Sequence, residues 1–147
     1  MPTYHCTASI GFLNQPLRAA VAEAITRIHR DITGAPGFFA QVIFHETANG
    51  NHFMGGVAAS ADQIFVHGFI RAGRTATNLR KLVTEIVTSL AGLTGLPTRC
   101  IWVYLTEIPA NQMAEYGHVL PEPGDEASWL AGLPEEDIRF LKSIGTS

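Results

Sequence analysis

The chain contains the same unit twice. Thr33-Gly34-Ala35-Pro36 followed by Val42-Ile43-Phe44-His45-Glu46 is matched by Thr94-Gly95-Leu96-Pro97 followed by Val103-Tyr104-Leu105-Thr106-Glu107, at a constant offset of 61 residues. Each repeat must therefore fold in the same way. In the first, strand-like alternation at about 3–9 leads to helical periodicity at about 15–32 and a second strand at about 39–46. In the second the corresponding segments are about 63–70, 76–93 and 100–107. Each half reads β-α-β, with pseudo-repeats at about 2–47 and 63–108 and a helical tail at about 109–147 of one domain. Leu17, Val21, Ile25, Ile28 and Ile32 form one apolar stripe, and Leu79, Leu82, Val83, Ile86 and Leu90 the other, so both helices cover a sheet. Asn14 and Thr75 are the predicted N-caps, and Gly34 and Gly95 sit just past the helix ends, where a positive φ is often needed.

A right-handed crossover makes the two strands of each half parallel. The halves then pair into one four-stranded mixed sheet with both helices on one face, an α+β fold. The strands are apolar on both alternations (Ile64 and Val66 against Phe65 and Phe69; Ile101 and Val103 against Trp102 and Tyr104). The uncovered face therefore needs a partner, and another copy of the chain is the expected one. After Pro109 the sequence reads as short helices and turns, with Leu133-Pro134-Glu135-Glu136-Asp137 starting a final helix. This tail is a candidate to wrap a neighbouring copy.

At 147 residues, 46% hydrophobic and 16% charged, the chain can bury one core. A formal net charge of −3 and a pI near 6.0 give no electrostatic footprint for nucleic acid, and no basic cluster points to an anionic membrane. No leader pattern or membrane-length apolar run is present, so the expected location is cytoplasmic. Cys6 and Cys100 lack C-x-x-C spacing and read as buried thiols. Small-molecule chemistry is the class that remains.

Several residues carry that chemistry. Removal of Met1 would leave Pro2 as a free secondary amine at a strand end, a base when neutral and an acid when charged. Arg71 and Arg74 fall between a strand end and the helix that Thr75 caps; two guanidinium forks there can bind a carboxylate and stabilise charge growing on it. His29 lies at the edge of the first apolar stripe near the helix C-terminus, where the dipole favours a charged imidazole. Tyr104 is in the last strand, in register with Ile43 of the first repeat, and Glu115 follows the turn at Pro109. Taken singly, each also has a structural reading: a frayed terminus, solvated arginines, a core histidine, a core tyrosine, a surface glutamate. His5, His45, His52, His67 and His118 have no ligand spacing, and no metal is assigned.

Together these residues resemble one family. The duplicated β-α-β halves, the Pro after Met1, and the segments Gly37-Phe38-Phe39-Ala40-Gln41-Val42, Ile64-Phe65-Val66-His67-Gly68, Arg71-Ala72-Gly73-Arg74-Thr75, Ile101-Trp102-Val103-Tyr104 and Met113-Ala114-Glu115-Tyr116-Gly117 are similar to the tautomerase superfamily, in particular its cis-3-chloroacrylic acid dehalogenase group. The similarity runs to about Leu133, and the loop from Gly34 to Phe39 departs from the group's usual pattern. The resemblance implies the tautomerase/MIF fold, a homotrimer, no cofactor and a small unsaturated or enol carboxylate as substrate. It also implies roles. Glu115 helped by Tyr104 would activate water, His29, Arg71 and Arg74 would hold the substrate carboxylate, and protonated Pro2 would deliver a proton. The same frame supports phenylenolpyruvate-type tautomerisation with Pro2 as base, malonate semialdehyde decarboxylation or propiolate hydration. A cytokine-like binding module such as macrophage migration inhibitory factor shares the fold but has no need of a water-activating pair.

Overall fold

A computed structural model describes residues 2–144; the removal of Met1 that a free Pro2 amine requires lies outside the described residues. In chain order the elements are β1 (Thr3–Ser9), α1 (Gln15–Thr33), β2 (Gln41–Thr47), a hairpin of β3 (Phe53–Met54) and β4 (Val57–Ala58), β5 (Ile64–Arg71), α2 (Ala76–Thr94), β6 (Ile101–Ile108), a second hairpin of β7 (Ala114–Glu115) and β8 (His118–Val119), α3 (Glu126–Ala131) and α4 (Glu135–Ser143).

The repeat extends to individual hydrogen bonds. Asn14 Oδ1 accepts from the Leu17 N–H at 3.0 Å and Thr75 Oγ1 from the Asn78 N–H at 3.1 Å, so each helix starts on its predicted cap. Gly34 and Gly95 end the helices in the left-handed region, at φ 72° and 75°. In the last turns the Thr33 hydroxyl donates to the His29 carbonyl and the Thr94 hydroxyl to the Leu90 carbonyl, both at 2.7 Å. The second strands start later than the alternation suggests, because Pro36 and Pro97 each lead into a single 3-10 turn, at Gly37–Phe39 and Thr98–Cys100. Those turns are closed by Ala40 N–H to Gly37 O and Cys100 N–H to Pro97 O.

The sheet order is β2-β1-β5-β6, parallel within each repeat and antiparallel between β1 and β5. Both helices pack on one face: Ile25 of α1 and Leu82 and Ile86 of α2 share a core with Tyr4, Cys6 and Val66 of the sheet. Leu82 is fully buried there, and truncating such a residue to alanine costs about 2–5 kcal/mol. Cys6 and Cys100 are buried free thiols, and burial pushes the Cys6 thiol up to about 12. Among the described residues no helix is long and apolar enough to cross a membrane.

The opposite face is bare among the described residues, but less apolar than the strand patterns suggest. Phe65, Phe69, Trp102 and Tyr104 lie on it, and so do histidines. His5 stacks on His45 with Nδ1 to Nε2 at 2.8 Å, and His67 Nε2 lies 2.8 Å from Thr106 Oγ1. The tail packs on its own chain, with Trp129 Nε1 donating to the Val119 carbonyl at 2.8 Å and the indole ring packing against Phe39. α4 starts as predicted after Pro134, with Glu135, Glu136 and Asp137 in its first turn.

Candidate active site

The strand directions bring the start of β1, the start of β2, the end of β5 and the end of β6 to one end of the sheet. Thr3 pairs with both Gln41 and Phe69, and Arg71 with Ile108. Pro2 is buried at this end, and its carbonyl accepts from the Gln41 N–H at 2.9 Å. Beside it opens a cavity of about 540 Å³, lined by Thr3, Phe39, Gln41, Phe69, Glu115 and Tyr116 among others. Glu115 enters the wall on the β7–β8 hairpin, whose turn residues Tyr116 and Gly117 both have positive φ, 55° and 84°. A side chain in that region costs energy. Here the Tyr116 hydroxyl is held by donating to the Phe38 carbonyl at 2.6 Å, which ties the Glu115 hairpin to the Gly37–Phe39 turn.

His29 lies on α1 at the same end of the sheet but on its helix-covered side, outside the residues that line the cavity, and is 3% exposed. Its Nδ1 lies 2.9 Å from the hydroxyl of Tyr4, the second residue of β1. Gly68 on β5 makes room for this pair, since a Cβ there would stand 2.5 Å from Tyr4 Cε1. The expected imidazolium is not what the surroundings favour. Burial, then the positive charges of Arg74 and Arg71, lower the His29 pKa to about 3, so the ring is neutral. Burial also holds the Tyr4 hydroxyl protonated. The Tyr4 hydroxyl and His29 Nδ1 thus share one hydrogen bond, in which the imidazole tautomer decides which of them donates.

Arg71 is not in a loop, as its spacing suggested, but is the last residue of β5 and only 2% exposed. Its Nη1 donates to the Pro121 carbonyl at 2.6 Å and its Nη2 pairs with the Glu126 carboxylate. Arg74, which is in the loop, is half-buried and donates from Nη1 to the Thr33 carbonyl at 3.1 Å, at the C-terminus of α1. Burial and then Arg71 lower the Arg74 pKa, while Glu126 and Glu107 oppose them. Glu126 is the residue that the sequence did not disclose. It follows both repeats and has no counterpart in the first, so the duplication gave no signal for it.

Tyr104 lies elsewhere. It pairs with His67, which pairs with His5, so within one protomer it is two strands across and three residues along from Pro2, roughly 14 Å at ordinary strand spacings. It is 52% exposed on the bare face and lines a second cavity of about 440 Å³. Thus Pro2, His29, Arg71, Arg74 and Glu115 gather at one end of the sheet, and Tyr104 of the same protomer does not.

A family model described as "Putative oxalocrotonate tautomerase enzyme" matches residues 1–132. The crystal structure of N1, a member of the cis-3-chloroacrylic acid dehalogenase (cis-CaaD) family, is similar at a TM-score of 0.94 and 39% sequence identity, over 97% of this chain and 99% of that one. The chain belongs to the tautomerase superfamily, in the cis-3-chloroacrylic acid dehalogenase group. Native Ps01740 is similar at 32% identity and a TM-score of 0.73, over 77% of this chain and 99% of that one. A fused 4-OT wild type symmetric trimer (Q0) shares the fold at 19% identity and a TM-score of 0.74, over 82% of this chain and 97% of that one. No curated protein sequence matches the chain.

In this tautomerase superfamily member the two cavities are mates under the internal duplication. Thr3, Gln41 and Phe69 of the first correspond to Ile64, Trp102 and Ala8 of the second, at the same offset of 61 residues. The polar groups do not repeat. Pro2, His29, Arg71, Arg74 and Glu115 correspond to Gln63, Leu90, Ile10, Leu13 and Met54. One end of the sheet carries the ionisable groups, and the other has apolar side chains in most of their places.

Proposed function

We propose that this chain adds water to a 3-haloacrylate or a related unsaturated carboxylate, in the manner of a cis-3-chloroacrylic acid dehalogenase. The supporting observation is the position of the Glu115 carboxylate in the cavity wall, at the sheet end that also holds Pro2, His29, Arg71 and Arg74. Glu115 takes a proton from water as its oxygen bonds to C3, and the electron pair displaced toward the carboxylate is stabilised by the guanidinium groups. Protonated Pro2 gives its proton to C2. The resulting halohydrin loses HX and leaves malonate semialdehyde. His29 acts here as a neutral hydrogen-bonding group and not as a counter-charge, because its pKa is near 3. Tyr104 joins Glu115 only if a neighbouring copy supplies it, and its exposure on the bare face makes it available for that role. The assembly proposed is a homotrimer.

A second reading is favoured by the cavity itself. At about 540 Å³, with Phe39, Phe69 and Tyr116 in its wall, it is roomy for a haloacrylate and suited to an aromatic enol. Ketonisation of phenylenolpyruvate requires only that Pro2 move a proton, as a neutral base. NMR of the Met1-free protein with cis- and trans-3-chloroacrylate, propiolate and phenylenolpyruvate separates the two. Malonate semialdehyde from a chloroacrylate supports the first reading, and turnover of the enol alone would replace it with the second.

A further inference from the structure

Glu115 sits on a hairpin too short to hold itself. β7 and β8 have two residues each, and an isolated two-stranded hairpin is at best marginally stable in water. The carboxylate can act only from the cavity wall, so something outside the hairpin must fix the strands. The register pairs Glu115 with His118, which sets their Cβ atoms about 5 Å apart on one face. His118 Nε2 donates to Asp137 Oδ2 of α4 at 2.7 Å, and the Tyr116 ring packs edge-on against Phe140 of the same helix, with centroids 6.1 Å apart. Asp137, Phe140 and Leu141 follow the i, i+3, i+4 spacing and so share one side of α4, and Leu141 is fully buried. The start of the tail is fixed as well. Gly73 has φ 104°, and a Cβ there would meet Pro123 Cγ at 2.9 Å, so the tail lies directly on the backbone between Arg71 and Arg74.

The first repeat supplies an internal comparison. Its hairpin, β3–β4, matches β7–β8 residue for residue at the offset of 61, with Met54 for Glu115, Gly55 for Tyr116 and Val57 for His118. Val57 is 68% exposed. The hairpin that lacks the carboxylate thus also lacks both side chains through which α4 holds the other one. Resting on the water-addition reading above, we propose that α4 is the positioning element for Glu115. His118, Asp137 and Phe140 are its positioning residues, keeping the carboxylate where water must be activated. None of the three is among the residues that line the cavity, so they act through the hairpin and not on the substrate. Ketonisation of an enol uses no water and does not depend on them.

The test compares the Met1-free wild-type chain with Asp137→Ala, Asp137→Asn and Phe140→Ala. Asp137→Ala should lower kcat for halide release from cis-3-chloroacrylate by about three- to tenfold, the range that one partly exposed hydrogen bond supports, with KM nearly unchanged. Ketonisation of phenylenolpyruvate should stay within about twofold of wild type. Asp137→Asn, whose amide oxygen can still accept from His118, should recover most of the loss. Equal loss of both activities, or loss of neither, overturns the proposal. If Asp137→Ala does not fold, Phe140→Ala carries the same comparison, because Phe140 is 57% exposed and lies largely outside the core. Amide exchange follows the hairpin without any chemistry. The Leu120 N–H, which closes the hairpin on the Met113 carbonyl at 3.0 Å, should exchange at least about threefold faster in the variant that folds, while the amides of β1 keep their rates. A wild-type chain that hydrates neither chloroacrylate isomer nor propiolate would remove the water-addition reading, and the exchange then decides alone. Faster exchange confined to the hairpin would uphold α4 as the element that fixes Glu115, and equal exchange in wild type and variant would overturn it.

Discussion

Glu115 separates two chemistries that share one cavity. Glu115→Gln keeps the side chain's shape and removes the base, so halide release from cis-3-chloroacrylate should fall by roughly 10²- to 10⁴-fold. Ketonisation of phenylenolpyruvate uses no water and should persist, or rise, since loss of the anion favours neutral Pro2. Parallel loss of both activities would make Glu115 a structural group. His29 illustrates a competition that sequence alone does not resolve. Its place at a helix C-terminus favours charge by about 0.3–2 kcal/mol, whereas full burial shifts a histidine by several pKa units, each about 1.4 kcal/mol. Burial wins, and the pKa falls to about 3. Between that value and the unfolded value near 6.5 the unfolded chain binds the extra proton. The stabilisation due to a neutral His29 is thus complete above about pH 6.5 and is lost as pH falls, by up to about 1.4 kcal/mol per unit. Denaturant midpoints measured at pH 7 and pH 5 should move less in His29→Asn than in the wild-type chain, and equal movement would mean a charged native imidazole. The candidate site residues were legible through their chemistry, a terminal amine, two arginines before a capped helix and a carboxylate after a turn, and through the segments that resemble the family. Glu126 lies in the tail, in none of those segments.

The strands and helices were legible for local reasons. Asn14 and Thr75 cap the helices that follow them, Gly34 and Gly95 end those helices, and both apolar stripes run at helical period. The 3-10 turns after Pro36 and Pro97 were missed because alternation continues through them. The helices of the tail were foreseen but its seat was not, because that depends on the close approach of Pro123 to the backbone at Gly73. Gly68 has a similar role inside the sheet. Its Cβ would lie 2.5 and 2.8 Å from carbons of the Tyr4 ring and 2.9 Å from Leu105 Cδ2. Gly68→Ala should therefore destabilise the fold by about 1–3 kcal/mol and move Tyr4 away from His29. Urea unfolding checks the first effect and the His29 ring ¹⁵N shifts check the second. An unperturbed imidazole would show that the ring can be accommodated without its tyrosine partner moving.

For the whole molecule, the bare face and the distant Tyr104 lead to one prediction about assembly. If each site joins Pro2 of one copy to Tyr104 of the next, the Pro2→Ala and Tyr104→Phe variants should each be impaired, and a refolded equal mixture should regain intact pairs in about a quarter of its sites. A mixture no more active than its parents, or sedimentation as a stable monomer, would count against the trimer. A second prediction concerns processing: intact mass of untagged protein should show loss of one methionine, since an amide nitrogen at Pro2 is neither acid nor base near neutral pH. Full activity from a chain that keeps Met1 would end the role given to Pro2. The paired cavities add a consequence for ancestry. A gene duplication doubles every side chain but not the amino terminus, and the position equivalent to Pro2 is Gln63, an interior peptide nitrogen. Restoring Glu, His and two Arg at Met54, Leu90, Ile10 and Leu13 would still leave that end without its amine. Joining the old ends by a linker and reopening the chain at Gln63 as a new terminal proline would move the chemistry to the opposite pole of the sheet.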